Sequence, residues 1–444
     1  MMIKDLTPYK INTTTSWILI LLTVVVYYLF GYHVLRTNFN QVFVVYTLVF
    51  GLFLLLYYKS TLSTKTLLNV GILFRLVFMF SIPNLSDDFY RFLWDGRALF
   101  NGINPYLILP EKNPSLIQNG TQLYQGMGAA NGSHYTCYPP LNQLAFTIPA
   151  IFSTSNLLIS TVVMRVTLIA SDILTAYYGT QILKELKLNT RKILLYFINP
   201  FAIIELTGNL HYEGMMLAFF SASLYYLLKN KNSKSAILFA GAILIKLIPL
   251  IFLPVLFKKL KWIKLIKYGS IVGLFIFLLF LPFLSTTLYQ NFMSSIELYF
   301  QNFEFNASIY YIVREIGYHT KGYNIIKTVG KITPVLVIIF TLSISFFRKN
   351  NHYKVLFTTM LFVIVFYYAM SSIVHPWYIA IPLFLSLFTH YSFPLLWSYL
   401  IILSYSAYTS SSYQENLWMV GLEYTLLFTF LFYELYKNNK TKNA

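Results

Sequence analysis

The sequence is nearly devoid of cysteine and poor in charge. One cysteine, Cys137, among 444 residues excludes an internal disulfide framework, and it is too isolated to be a metal site or a redox pair. Asp, Glu, Lys and Arg make up only 11% of the chain, whereas 57% is hydrophobic. A water-soluble fold of this length cannot hide that much apolar surface. Period-two alternation of the β-barrel kind is missing, as are an internal repeat and a soluble domain. No small-residue cleavage site follows the first apolar run, which is therefore read as a retained helix. The net charge of +18 would suit nucleic acid only on the basic face of a soluble domain, so nucleic acid is excluded as a partner.

What is present is a series of apolar runs of roughly 15 to 23 residues, the length that crosses a hydrocarbon layer about 30 Å thick. The chain is expected to be one all-α, polytopic membrane domain over residues 1–444. About twelve transmembrane helices are placed near 16–34, 41–58, 66–82, 157–183, 192–206, 214–228, 267–285, 325–347, 355–372, 377–391, 394–411 and 417–436. Residues 141–152 are too short to cross and carry Pro149, so a re-entrant or interfacial piece is expected there. Residues 236–257 hold Lys246, Pro249 and Pro254 between basic flanks, which predicts a half-depth hairpin returning to its starting side.

Charge fixes the orientation. With both termini cytoplasmic, most of the 33 Lys and Arg residues fall inside, and the outer segments hold only Arg36, Arg91, Arg97, Lys112, Arg314 and Lys321. That asymmetry is the positive-inside pattern of a cytoplasmic (inner) membrane protein. Two long loops, 83–140 and 286–324, then lie outside with short extracytoplasmic helices.

Nearly all the polar chemistry falls on that outer side. Residues 86–106 read SDDFYRFLWDGRALFNGINPY. Ser86 is a plausible N-cap, and Asp87 and Asp88 occupy a first turn that favours carboxylates. On such a helix Asp88, Arg91 and Asp95 share a face, and Tyr90 and Trp94 add aromatic rings. A capped, salt-bridged surface helix would look similar, but carboxylates this near a membrane run are commonly functional. Downstream, Tyr138-Pro139-Pro140 stiffens the chain. Residues 199–216 gather Glu205, Asn209, His211 and Glu213 at an outer helix junction, and Val374-His375-Pro376-Trp377-Tyr378 forms a further outer turn. Inside apolar runs, Arg165 and Lys246 each cost about 2.5–3.5 kcal/mol unless partnered. Asp172 at i+7 or a lipid phosphate would serve Arg165, and snorkelling to the cytoplasmic face would serve Lys246.

The stretches SDDFYRFLWDG, YPPL, NLHYEG and HPWY resemble the bacterial membrane mannosyltransferase-like members of the GT-C glycosyltransferase superfamily, across roughly residues 66–380. Three helices precede the acidic loop here, where the simplest family layout has one. The resemblance implies a GT-C-like fold and transfer of a hexose, mannose above all, from a polyprenyl-phosphate donor to an extracytoplasmic glycan or lipid, with inversion. It implies a base at Asp87 or Asp88, with Asp87 favoured. Arg91, Arg165 and His375 are candidates for the donor phosphate. Tyr90, Trp94, Asp95, Tyr138, Asn209, His211, Glu213, Trp377 and Tyr378 are candidates for substrate contact. No cofactor is required, although a divalent ion is conceivable near Asp87, Asp88 and Glu213.

The chemistry agrees on its own terms. A phosphate is already a good leaving group, so one carboxylate base, worth about 10²–10⁴-fold, suffices. Hydrolysis needs two carboxyl groups flanking one bond at about 5–9.5 Å, whereas Asp87 and Asp95 on one helix stand about 12 Å apart. The alternative class is a multi-pass transporter or lipid-linked sugar flippase. Such a protein should show matching broken helices in two halves, and only 236–257 is broken in this way.

Overall fold

The computed structural model describes residues 10–409 and 413–443. Among these residues the chain is helical and contains no strand, apart from isolated bridges at Ile11–Ser60 and Phe305–Ile373. Helices α1 (Thr13–Tyr32), α2 (Phe39–Lys59) and α3 (Thr64–Leu76) are followed by α4 (Asp88–Phe100), α5 (Gly120–Gly132), α6 (Pro140–Phe152) and α7 (Leu157–Glu185). The short α8 (Leu194–Phe197) leads through a widened turn, Ala202–Gly208, to α9 (Glu213–Leu228) and α10 (Asn232–Ile245). Then come α11 (Phe257–Phe280), α12 (Thr286–Gln301), α13 (Ile309–Lys321), α14 (Ile326–Phe347), α15 (Tyr353–Met370), α16 (Ala380–Ser386), α17 (Phe393–Leu400) and α18 (Leu417–Asn443).

Among the described residues, six segments are long and apolar enough to cross a membrane: α1, α2, α7, α14, α15 and the run Ile248–Phe283 that contains α11. Their starts are written in the sequence. Asn12, Asn38 and Asn156 cap α1, α2 and α7 by accepting from the backbone N–H three residues on, which satisfies donors that would otherwise be orphaned. Other apolar helices, including α9, α10 and α17 with the turns after it, are shorter.

Proline and a basic side chain break the stretch 236–257. Helix α10 ends at Ile245, Lys246 is extended, and the chain continues in tight turns over Ile248–Phe252 and Pro254–Leu256. Neither Pro249 nor Pro254 offers an N–H to continue an α-helix. Because α9 and α10 pack antiparallel, the end of α10 returns to the start of α9. Lys246 therefore does not snorkel away from Glu213. Its Nζ lies 2.5 Å from Glu213 Oε1.

The acidic loop is not a helix lying exposed above the membrane. One face of α4 packs against α5 and the other against α6, with Phe89, Phe92, Leu93, Trp94 and Ala98 buried. Residues 141–152 are covered on one face only, with Leu144, Ile151 and Phe152 exposed: α6 begins at Pro140, whose missing N–H costs nothing at the first helical position, and lies on α4 and α7. The crossing is tight at Gly96, where a Cβ would stand 1.9 Å from the Phe146 carbonyl oxygen. Gly96→Ala is expected to force α4 and α6 apart, at a cost of about 1–3 kcal/mol. A lower unfolding temperature in detergent, with loss of activity in proportion, would be its signature.

Candidate active site

A cavity of about 980 Å³ opens where the acidic loop, the YPPL segment and the HPWY turn converge. Its polar end is walled by Arg36, Asp87, Asp88, Asn131, His134 and Lys246. From Lys246 an apolar limb follows Leu247, Ile248 and Ile251 on one side and Pro334, Val337 and Ile338 of α14 on the other. Tyr138, His375, Trp377 and Tyr378 close the wall between the two.

Asp87 is the residue before α4, displacing Ser86 from the cap, and its side chain makes no cap hydrogen bond. Ser86 Oγ instead accepts from the Asp88 N–H at 3.3 Å. This frees the Asp87 carboxylate to face Arg36, whose Nη2 donates to Oδ2 at 2.6 Å. Asp88 Oδ1 accepts from Asn131 Nδ2 at 3.3 Å. Burial pushes the Asp88 carboxyl up to about 6, opposed by the charge of Lys246 and assisted by that of Glu213. The two adjacent acids thus occupy unlike environments, one held by a cation and the other desolvated.

Several residues singled out by sequence serve as scaffold. Arg91 Nε donates to Asp95 Oδ1 at 2.8 Å, and its Nη1 donates to the carbonyls of Asn131 and His134. It staples the segment that carries Asn131 beneath Asp88, and Asp95, fully buried, accepts also from Gln143. Neither is on the main cavity wall, and Arg91 reaches only a small side pocket. Arg165 spends its guanidinium on the carbonyls of Thr207, Gly208 and Met79. Asp172 is not its partner: Arg75 of α3 donates to Asp172 at 2.8 Å, and both are fully buried. Trp94 is core, and Tyr90 packs on Phe89 at 4.0 Å, away from the cavity.

The NLHYEG and HPWY turns do meet. His211 stacks on Trp377 with ring centroids 3.6 Å apart, and His375 stacks on the same indole at 4.6 Å. Trp377 is therefore a wall between imidazoles and not a lipid-facing anchor. Burial pushes His375 down to about 3, helped by the Lys246 charge, so at neutral pH it is an uncharged ring. Its Nδ1 is buried without a hydrogen-bond partner. Behind this wall, Asn209 and Tyr405 donate to Glu205 at 3.3 and 2.8 Å. Asn209, His211 and Glu213 thus support the cavity without lining it. Asp87, Asp88 and Glu213 do not gather around one point: among the described residues no three His, Cys, Asp or Glu side chains converge as metal ligands would.

Arg36, Asn131, His134 and Lys246 went unrecognised as site residues in the sequence. Only Lys246 carried a signal, as an ammonium inside an apolar run. It sits 5.6 Å from the ring centroids of both Tyr138 and Tyr378, at the junction of the polar and apolar parts of the cavity.

Comparison with known proteins points the same way. Alpha-(1->6)-mannopyranosyltransferase A of Mycobacterium tuberculosis is 24% identical over 179 residues, covering 40% of this chain and 34% of that protein. The match spans about a third of the relative's length. The family model described as Alpha-(1->6)-mannopyranosyltransferase, N-terminal domain, matches residues 11–261. These residues include the acidic pair, the α9–α10 hairpin and Lys246, and the chain belongs to that family.

Proposed function

We propose that the protein transfers a mannosyl residue from a polyprenyl-phosphate donor to a hydroxyl of an extracytoplasmic glycan or lipid acceptor, inverting the anomeric carbon. The observation that carries this reading is the amphiphilic shape of the cavity: a carboxylate-bearing polar end joined, at a cationic side chain, to an apolar limb. A lipid phosphate divides its chemistry in the same way. A soluble nucleotide sugar offers nothing to cover Ile248, Ile251, Val337 and Ile338.

In this reading Asp87 is the base. Arg36 holds Oδ2, which leaves Oδ1 to take the acceptor proton as the acceptor oxygen attacks the anomeric carbon and the lipid phosphate departs. Lys246 takes over the role that the sequence offers to Arg91 and Arg165, because only Lys246 of the three is on the cavity wall. Phosphate would draw its ammonium from Glu213 as a charge-assisted donor. His375 supplies an uncharged N–H, and Tyr138, Trp377 and Tyr378 offer ring faces to the sugar. An α-(1→6) product, as in the relative's name, requires a β-linked donor if displacement is single and direct.

The reading places the active site on the outer face of the cytoplasmic membrane, with 83–140 and 286–324 outside and both termini inside. The shorter helices complete a set of about twelve crossings. Helices α9 and α10, with 16 and 14 residues, span about 24 and 21 Å, which would recess the site below the outer surface.

Membranes carrying the protein should form a glycosidic product from radiolabelled polyprenyl-phosphate-mannose and none from a nucleotide-mannose when lipid-donor synthesis is blocked. Equal product from the nucleotide sugar would overturn the proposal.

A further inference from the structure

The α1–α2 turn reaches into the cavity through one side chain. Arg36 splits its guanidinium: Nη1 donates to the Leu85 carbonyl at 3.3 Å and Nη2 to Asp87 Oδ2 at 2.6 Å, while the face of the group lies 4.6 Å from the Tyr408 ring centroid. One rigid fork thereby fixes both the backbone two residues before Asp87 and the carboxylate itself. Lysine, a single point charge, cannot reproduce that geometry. The turn does not depend on Arg36 for its place, because Asn84 Nδ2 donates independently to the carbonyls of Phe30 and Val34.

We infer that Arg36 is the positioning residue of the acidic pair. It fixes Asp87 Oδ1 toward the acceptor, an assignment that rests on reading Asp87 as the base. The α1–α2 turn thereby carries the cation that meets Asp87, since Arg91 of the acidic loop is spent on Asp95 and on backbone carbonyls. The other groups facing Asp87 are Asp88 and Tyr90 on its own strand of chain and Tyr408 from the turns after α17. None of these is a cation.

Arg36 is partly exposed, with 24% of its side chain accessible against 39% for Asp87. The test is kcat and donor KM for mannosyl transfer by the full chain in membranes or detergent, with the unfolding temperature measured in parallel. For Arg36→Gln kcat should fall about tenfold or more. Donor KM should stay within about twofold. Arg36→Lys should leave kcat depressed, because it restores the charge and not the fork.

A kcat for Arg36→Gln within about threefold of wild type would overturn the inference, as would a loss confined to donor KM, which would make Arg36 a phosphate ligand. Asp87→Asn separates the two levels. If Asp87→Asn retains full transfer, the reading of Asp87 fails and the inference with it. If Asp87→Asn is inactive while Arg36→Gln keeps its kcat, only the role of Arg36 fails.

Discussion

Asp87→Asn should lower kcat for mannosyl transfer by about 10²–10⁴-fold with little change in donor KM, because it removes the proton acceptor and keeps shape and volume. The side chain is partly exposed and makes no helix-cap bond, so its loss leaves no orphaned backbone donor and the fold should survive. The variant also tests the division of labour between adjacent acids. Asp88, desolvated and bonded to Asn131, cannot substitute, since successive side chains on a helix point about 100° apart. A kcat within about threefold of wild type would remove Asp87 from the chemistry.

Lys246→Gln should act on the other parameter. A hydrogen bond to a charged group contributes about 1.5–3 kcal/mol, so donor KM should rise on the order of 10- to 100-fold while kcat at saturation falls less. The variant also strands Glu213, almost wholly buried beside it, and leaving a buried charge without its partner costs about 3–5 kcal/mol. The double variant Lys246→Gln/Glu213→Gln removes that penalty. It should recover the unfolding temperature without recovering donor KM. Recovery of both would reduce Lys246 to a structural counter-ion.

How far the sequence foretold these features depended on the distance over which each is determined. The apolar runs that form α1, α2, α7, α14 and α15 and the proline-broken stretch after α10 are local, set by hydropathy or a missing N–H, and they appear where the sequence puts them. The acidic loop, Tyr138 and the HPWY turn, expected on one side of the membrane, converge on one cavity. Partners chosen by tertiary packing were out of reach. Helical spacing offered Asp172 to Arg165, but Asp172 pairs with Arg75, 97 residues away in sequence, while Arg165 is consumed by carbonyls freed where the chain widens at Ala202–Gly208.

Lys246 shows the same limit from the other side. Its cost in an apolar run announced that a partner must exist. Only the antiparallel packing of α9 on α10 identifies Glu213 as that partner and brings the pair beside the cavity. Arg36 gave no signal at all, since one arginine in a short polar turn is what any helical hairpin at a membrane surface displays.

Catalysis, as opposed to carriage, is tested most directly by the fate of labelled polyprenyl-phosphate-mannose in sealed vesicles containing the full chain and acceptor-bearing membrane extract. The expected result is label in a new glycosidic product made by wild type and lost in Asp87→Asn. Label that crosses the bilayer still attached to the lipid phosphate, with no glycosidic product formed by wild type, would contradict it and identify the cavity as a transport path.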